Sequence, residues 1–224
     1  MTLFYQAGRG LAQFCFTAFG RWEVVGRELA PPRGPLIVVA NHLSYADPPL
    51  LVASLARPLN FVGKRELFAN PIMGFLLREF GVYPLDRAGM TVDALRQTMR
   101  LLAQDHAVVL FPEGHRSPDH TMQEGMAGAA YLAIKSQVPI LPVGITGTEK
   151  IPSWRIPIPL CHFKVNIGQL FTPPTLEGTP SRAVVESIRD MIMFRIAALL
   201  PSEYRGVYAI QARKEHLLRE PPPS

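Results

Sequence analysis

Only two cysteines occur in the 224 residues, Cys15 and Cys161, far apart and without metal-type spacing. A disulfide framework and a zinc site are both unsupported, and a cytoplasmic compartment is the default. No run reaches the ~18 uncharged apolar residues of a membrane-spanning helix. This holds although hydrophobic residues make up 48% of the chain and charged residues only 18%. Internal repeats are absent, and the length fits one domain with ample core. What charge there is leans one way. A net charge of +5 and a pI near 9.5 favour an anionic partner: nucleic acid, an anionic membrane or a phosphorylated substrate. Charge alone does not choose among them.

The stretch that organises the chain is Asn41-His42-Leu43-Ser44-Tyr45-Ala46-Asp47-Pro48-Pro49. It follows Pro35-Leu36-Ile37-Val38-Val39-Ala40, a short β-branched run that reads as a buried strand. His42 therefore belongs at the strand's C-terminal end, where open α/β sheets bind ligands. Asp47 before two prolines predicts a helix with an Asp N-cap and Pro in its first turn. On such a turn the aspartate can fold back on the histidine and accept the proton of one ring nitrogen. The other nitrogen then faces a substrate hydroxyl as a general base. The bland alternative is a helix cap beside an ordinary turn histidine. His106, His115, His120 and His162 form no ligand pattern with His42, which disfavours a metallohydrolase.

Residues 3 to 25 read as an amphipathic helix, with Phe4, Leu11, Phe14, Cys15, Ala18 and Trp22 on one side and Gln6, Arg9, Gln13 and Thr17 on the other. Its aromatic content and flanking arginines suit a helix lying in a membrane interface; packing on its own domain fits equally. A secretory signal is a third reading, weakened by a single early positive charge and no clear cleavage site. Strands are expected near 60–63, 81–85, 107–111, 140–146 and 163–168, and helices near 71–80, 91–104, 124–136 and 181–199. That alternation argues an α/β fold with a mixed, largely parallel central sheet flanked by helices. Ile151 to Leu160 carries three prolines and reads as an apolar loop, touching lipid or packed on the core.

More chemistry lies at strand ends on the side of His42. Lys64, Arg87 and Arg116 would together form a phosphate site, arginine as a bidentate fork and lysine as a mobile point charge. Singly, each is an ordinary surface charge. Gly114 directly after a strand lets backbone approach a ligand, and Glu113 beside it can hold a second hydroxyl or orient Arg116; a turn glycine and a salt bridge are the plainer reading. Val138-Pro139-Ile140-Leu141-Pro142-Val143 suits an edge strand or a wall for an acyl chain.

Taken together, these stretches resemble the glycerolipid acyltransferase family that includes 1-acyl-glycerol-3-phosphate acyltransferases. Asn41-His42 with Asp47 is similar to its His-four-residues-Asp motif, Gly81 to Arg87 to its second block, Phe111 to Ser117 to its Phe-Pro-Glu-Gly block, and Val138 to Val143 to its Val-Pro-Ile block. All four occur in order, over about residues 35 to 146. The resemblance implies transfer of a fatty acyl group from acyl-coenzyme A or acyl carrier protein to the hydroxyl of a lysophospholipid, with 1-acyl-glycerol-3-phosphate the leading acceptor. It implies His42 as base and Asp47 as its partner. Arg87 and Arg116 resemble the phosphate ligands, Glu113 and Gly114 the acceptor-binding pair. His115 departs from the threonine usual there, which leaves the acceptor head group open. On this reading there is no cofactor beyond the acyl donor, no metal and no nucleic-acid partner. A membrane surface is expected as partner, at its cytoplasmic face, with peripheral or monotopic attachment. Alternatives are another lysolipid acceptor or a non-catalytic lipid-binding module of the same fold. The chain then divides into an interface helix (1–30), an acyltransferase domain (31–215) and a disordered tail (216–224). Removing the residues before Glu23 is expected to leave a folding chain.

Overall fold

A computed structural model describes residues 2–85, 92–176 and 178–209; the expected tail lies outside the described residues. Seven strands form one sheet in the order β1-β7-β6-β2-β5-β3-β4. They are β1 (Arg21–Val25), β2 (Leu36–Ala40), β3 (Leu59–Lys64), β4 (Val82–Leu85), β5 (Ala107–Leu110), β6 (Ile140–Thr146) and β7 (His162–Ile167). Every pairing is parallel except β6 with β7. The sheet is therefore mixed and mostly parallel.

The helices are α1 (Leu3–Phe19), α2 (Asp47–Ser54), α3 (Pro71–Glu79), α4 (Val92–Ala103), α5 (Ala127–Ser136) and α6 (Arg182–Ala197). They cover both faces, which is why β2, β5 and most of β6 are apolar at successive positions instead of alternating. Leu36, Val38 and Ala40 pack with Tyr5 and Phe16 of α1 and Leu50 and Leu51 of α2. Ile37 and Val39 face the opposite layer, with Leu101 and Leu102 of α4, Leu132 of α5 and Ile192 and Ile196 of α6.

Four expectations change. The N-terminal helix stops at Phe19, and Trp22 lies in β1, where it pairs with Phe163 of β7. Gly20 ends the helix and Val24-Val25 favour the extended backbone of a sheet edge. Helix α1 is also part of the core: Tyr5 and Phe16 are buried, the Tyr5 hydroxyl accepts from Leu59 N–H at 2.9 Å and Gln13 Nε2 donates to Ala53 O at 2.9 Å. Removing it would strip apolar surface and two bonds from α2 and β3, so it is not a detachable anchor. Strand β6 lies inside the sheet and not at its edge. It tolerates Pro142 because that residue's backbone bond runs to Gly168 on the β7 side, while the β6–β7 ladder starts only at Val143–Ile167. Asp47 is the first residue of α2 and not its N-cap; Ala46 holds that position without a side-chain bond.

Among the described residues no helix is long and apolar enough to cross a membrane.

Candidate active site

Three neighbouring parallel strands, β6, β2 and β5, end on the same side of the sheet. Each continues into one wall of the site: Asn41 to Asp47 from β2, Phe111 to Ser117 from β5, and Gly147 to Ile151 from β6. From the adjacent ends of β2 and β6 the chain leads to opposite sides, to β3 and to β7, the place where open α/β sheets open a crevice.

His42 Nδ1 lies 2.7 Å from Asp47 Oδ2. The same oxygen accepts the backbone N–H groups of Leu43 (2.7 Å) and Ser44 (2.8 Å), so the carboxylate caps the preceding turn and not its own helix. Asp47 is fully buried, and a buried carboxylate needs such donors to stay charged. An ionised carboxylate only accepts, which assigns the proton to Nδ1 of His42 and leaves Nε2 with a free lone pair. The imidazole stacks on Phe111 with centroids 4.0 Å apart and planes 17° off parallel, and 17% of the side chain stays accessible. One wall is thus closed to water while an edge remains open.

Glu113 is buried beneath this turn. Its Oε1 accepts His42 N–H at 3.0 Å and its Oε2 accepts Gln123 N–H at 2.8 Å. Burial pushes the carboxyl up to about 7, and the two amide bonds offset only part of that. Both oxygens are occupied by backbone, so as it stands Glu113 props His42 and turns neither oxygen toward an acceptor. Ser117 N–H closes the second side of the brace on His42 O at 2.8 Å. Gly114 has φ +73, and a Cβ there would lie 2.3 Å from Met126 Sδ, so this turn needs glycine.

The Arg116 guanidinium carbon sits 3.8 Å from the ring centroid of Tyr45, two residues before Asp47. The cation is therefore held at the mouth of the site by the same turn that carries His42. His115 is exposed, with Nδ1 3.2 Å from Arg116 O. Lys64 closes β3 on the same side of the sheet, but its side chain is not among the described ones, and Arg87 lies outside the described residues. Among the described residues no three His, Cys, Asp or Glu side chains come together as a metal ion would need.

Sequence reasoning missed Gln123, which bonds Glu113 through its backbone, and the segment after β6. Nothing local signals either, because both act across long sequence separations.

The geometry pairs a histidine with a buried aspartate at the C-terminal edge of an α/β sheet, and the chain belongs to the Acyltransferase family, whose model matches residues 21–146. A chloroplastic 1-acyl-sn-glycerol-3-phosphate acyltransferase of Arabidopsis thaliana is 37% identical over 136 residues, 59% of this chain and 38% of that one. A probable 1-acyl-sn-glycerol-3-phosphate acyltransferase of Mycoplasma genitalium is 35% identical over 193 residues, 76% of this chain and 69% of that one. The crystal structure of PlsC, the 1-acyl-sn-glycerophosphate (LPA) acyltransferase of Thermotoga maritima, superposes with a TM-score of 0.69 at 25% identity, covering 98% of this chain and 81% of that one. The chain spans only 39%, 38% and 55% of its plant and algal relatives.

Proposed function

We propose that the protein is an O-acyltransferase that moves a fatty acyl group from a thioester to the free hydroxyl of 1-acyl-glycerol-3-phosphate, giving phosphatidic acid. The observation that carries this reading is the short contact between Asp47 and His42 Nδ1, with Nε2 left free at the open edge. The acceptor named here is the one in the names of the relatives.

In this mechanism Nε2 of His42 takes the proton of the acceptor hydroxyl as its oxygen attacks the thioester carbonyl. Asp47 stabilises the imidazolium that forms. The tetrahedral adduct collapses with cleavage of the C–S bond, and the thiolate takes the proton from Nε2 and leaves as thiol. The acceptor supplies the nucleophile, so no side chain is acylated. Arg116, held over Tyr45, offers a planar fork to the acceptor's phosphate, with Lys64 and Arg87 as the other cations of that site.

The acyl donor is a soluble thioester, acyl-coenzyme A or acyl carrier protein, and the acceptor lies in a bilayer. The lipid-facing surface of this reading is the outer face of α1, where Leu3, Ala7, Leu11, Phe14 and Ala18 line up exposed. It continues onto α3 through the edge-on Phe4–Phe75 contact and exposed Ile72. Attachment is peripheral or monotopic, at the cytoplasmic face, where the soluble donor has access.

The test measures thiol release from acyl-coenzyme A and from acyl carrier protein, with and without 1-acyl-glycerol-3-phosphate, and detects phosphatidic acid by mass spectrometry. Acceptor-dependent release with product formation is expected. No release with either donor across a panel of lysolipids would overturn the reading in favour of a lipid-binding module.

A further inference from the structure

Of the two carboxylate oxygens of Asp47, Oδ2 serves His42 and two backbone amides, while Oδ1 takes, among the described residues, a single bond, from the hydroxyl of Thr148 at 2.5 Å. Thr148 is fully buried and lies 101 residues beyond Asp47. It falls just past the residues that the family profile matches.

The chain is shaped to place it there. Strand β6 ends at Thr146, and Gly147 turns with φ +84 in a space where a Cβ would lie 2.2 Å from His162 O. That turn starts a single 3₁₀ turn, Thr148–Lys150, beside the His42 motif. Three further bonds hold the two segments in register. Asn41 Nδ2 donates to Ile145 O at 2.9 Å and its Oδ1 accepts Ile145 N–H at 2.7 Å, while Ser44 Oγ donates to Ile151 O at 3.3 Å. Every polar residue of the motif that faces β6 is thus fastened to the stretch on either side of Thr148.

We propose that Thr148 is a positioning residue for the acyl-transfer reaction, the third member of a relay that runs Thr148–Asp47–His42. The inference rests on the reading of His42 as the base. Its physical content is the choice of tautomer. With the threonine hydroxyl on Oδ1, the buried carboxylate has donors on both oxygens and remains an acceptor for Nδ1–H. Without it, a fully buried Oδ1 is left bare, and an unsatisfied buried anion favours keeping a proton. A protonated carboxyl donates to Nδ1 instead of accepting from it, which moves the imidazole proton to Nε2. Nε2 is then no longer a base. Thr148 acts on the reaction through that tautomer and touches no reacting atom.

The test compares Thr148→Val, which removes the hydroxyl at nearly constant shape, with Thr148→Ser, which keeps it. T148V is expected to lose about tenfold or more in kcat, the size of one hydrogen bond to a charged group, with both KM values within about twofold. T148S should stay within about threefold of the wild type. If T148V does not fold, T148C replaces it, since a thiol is a weak donor in the same place. In parallel, ¹⁵N NMR of histidine-labelled protein, with His42 assigned by its loss in His42→Gln, reads the ring directly. The wild type and T148S should show a protonated Nδ1 and a bare Nε2, and the valine or cysteine variant a shift toward a protonated Nε2. Wild-type kcat with an unmoved ring signal in the variant would overturn the relay. So would an equal loss in T148S, or a loss seen in KM alone, since either marks packing and not the hydroxyl. An inactive wild type whose ring signals still respond to T148V would leave the relay standing and fail the acyl-transfer reading instead.

Discussion

The backbone N–H of His42 rests on Oε1 of Glu113, 71 residues further along the chain, at 3.0 Å. His42 is thus fixed from beneath by a buried acid that belongs to a different strand end. Oε2 of the same carboxyl holds Gln123 N–H, and the loop around Gln123 is in turn tied to the C-terminal segment through Met122 N–H on Tyr204 O at 2.8 Å and Gly125 N–H on the Tyr208 hydroxyl at 3.0 Å. The position of His42 therefore depends on residues far beyond its own motif.

Glu113 gives the protein a pH dependence with a definite sign. Its folded-state value is raised to about 7 by burial, above the ordinary carboxylate range of an unfolded chain. The native state then keeps a proton that the unfolded state releases. The stabilisation is full below about pH 4 and is lost as pH rises through about 7, by up to about 3 kcal/mol. Thermal unfolding between pH 4.5 and 8 should show this decline, and Glu113→Gln should flatten it. An equal slope in the variant would assign the decline to other groups.

His42→Ala is expected to lower kcat by about 10³-fold without changing the circular dichroism spectrum, since the ring lies at the site's open edge and not in the core. Asp47→Asn should cost about 10²–10⁴-fold. The amide oxygen can still accept from the turn, and its NH2 can face the Thr148 hydroxyl, so shape survives while the charge that supports the imidazolium is gone. Thiol-release kinetics on both variants decide the point, and near-wild-type turnover in either would remove that residue from the mechanism.

Much of this was legible in the sequence for a physical reason. Runs such as Leu36–Ala40 and Ala107–Leu110 are buried on both faces, so their composition announces strands without any partner in view. The five-residue spacing of His42 and Asp47 is local, and the turn between them can be read directly. Strand β1 was hidden because Arg21–Val25 continues the apolar phase of the preceding helix and becomes a strand only through its register with β7. Asp47 before two prolines looks like a cap, yet its oxygens turn toward the preceding loop and toward Thr148. The partners of Glu113 and Thr148 are set by the sheet order, which places the ends of β5 and β6 on either side of β2, and no local pattern carries that information.

Arg116 is expected to act on the acceptor and not on the donor. Arg116→Ala should raise the KM for 1-acyl-glycerol-3-phosphate by about tenfold or more, with the donor's KM little changed, and Lys should restore it only in part because it lacks the planar fork. Tyr45→Leu, which removes the ring under the guanidinium at 3.8 Å, should produce a weaker version of the same effect. A rise confined to the donor's KM would move this cation to the carrier side of the site.

Helix α1 carries two apolar faces that do different work. Tyr5 and Phe16 are buried against the domain, whereas Leu11 and Phe14 are 63% and 62% exposed. The two roles separate by substitution, which truncation cannot achieve, since the buried face belongs to the core. Phe16→Ala should destabilise the fold by about 3–5 kcal/mol, the usual result of emptying a buried aromatic site. Leu11→Glu with Phe14→Glu should leave the melting temperature nearly unchanged, because both side chains already face solvent. The same pair should abolish most flotation with anionic liposomes, since it removes inserted apolar area and adds two negative charges where the lipid is negative. Salt should weaken wild-type binding only in part, because the arginine attraction is screened and the apolar contribution is not. If the double variant floats as well as the wild type, the contact belongs to the exposed α3 face or to the loop around Trp154, which is 77% exposed, and α1 serves the core alone.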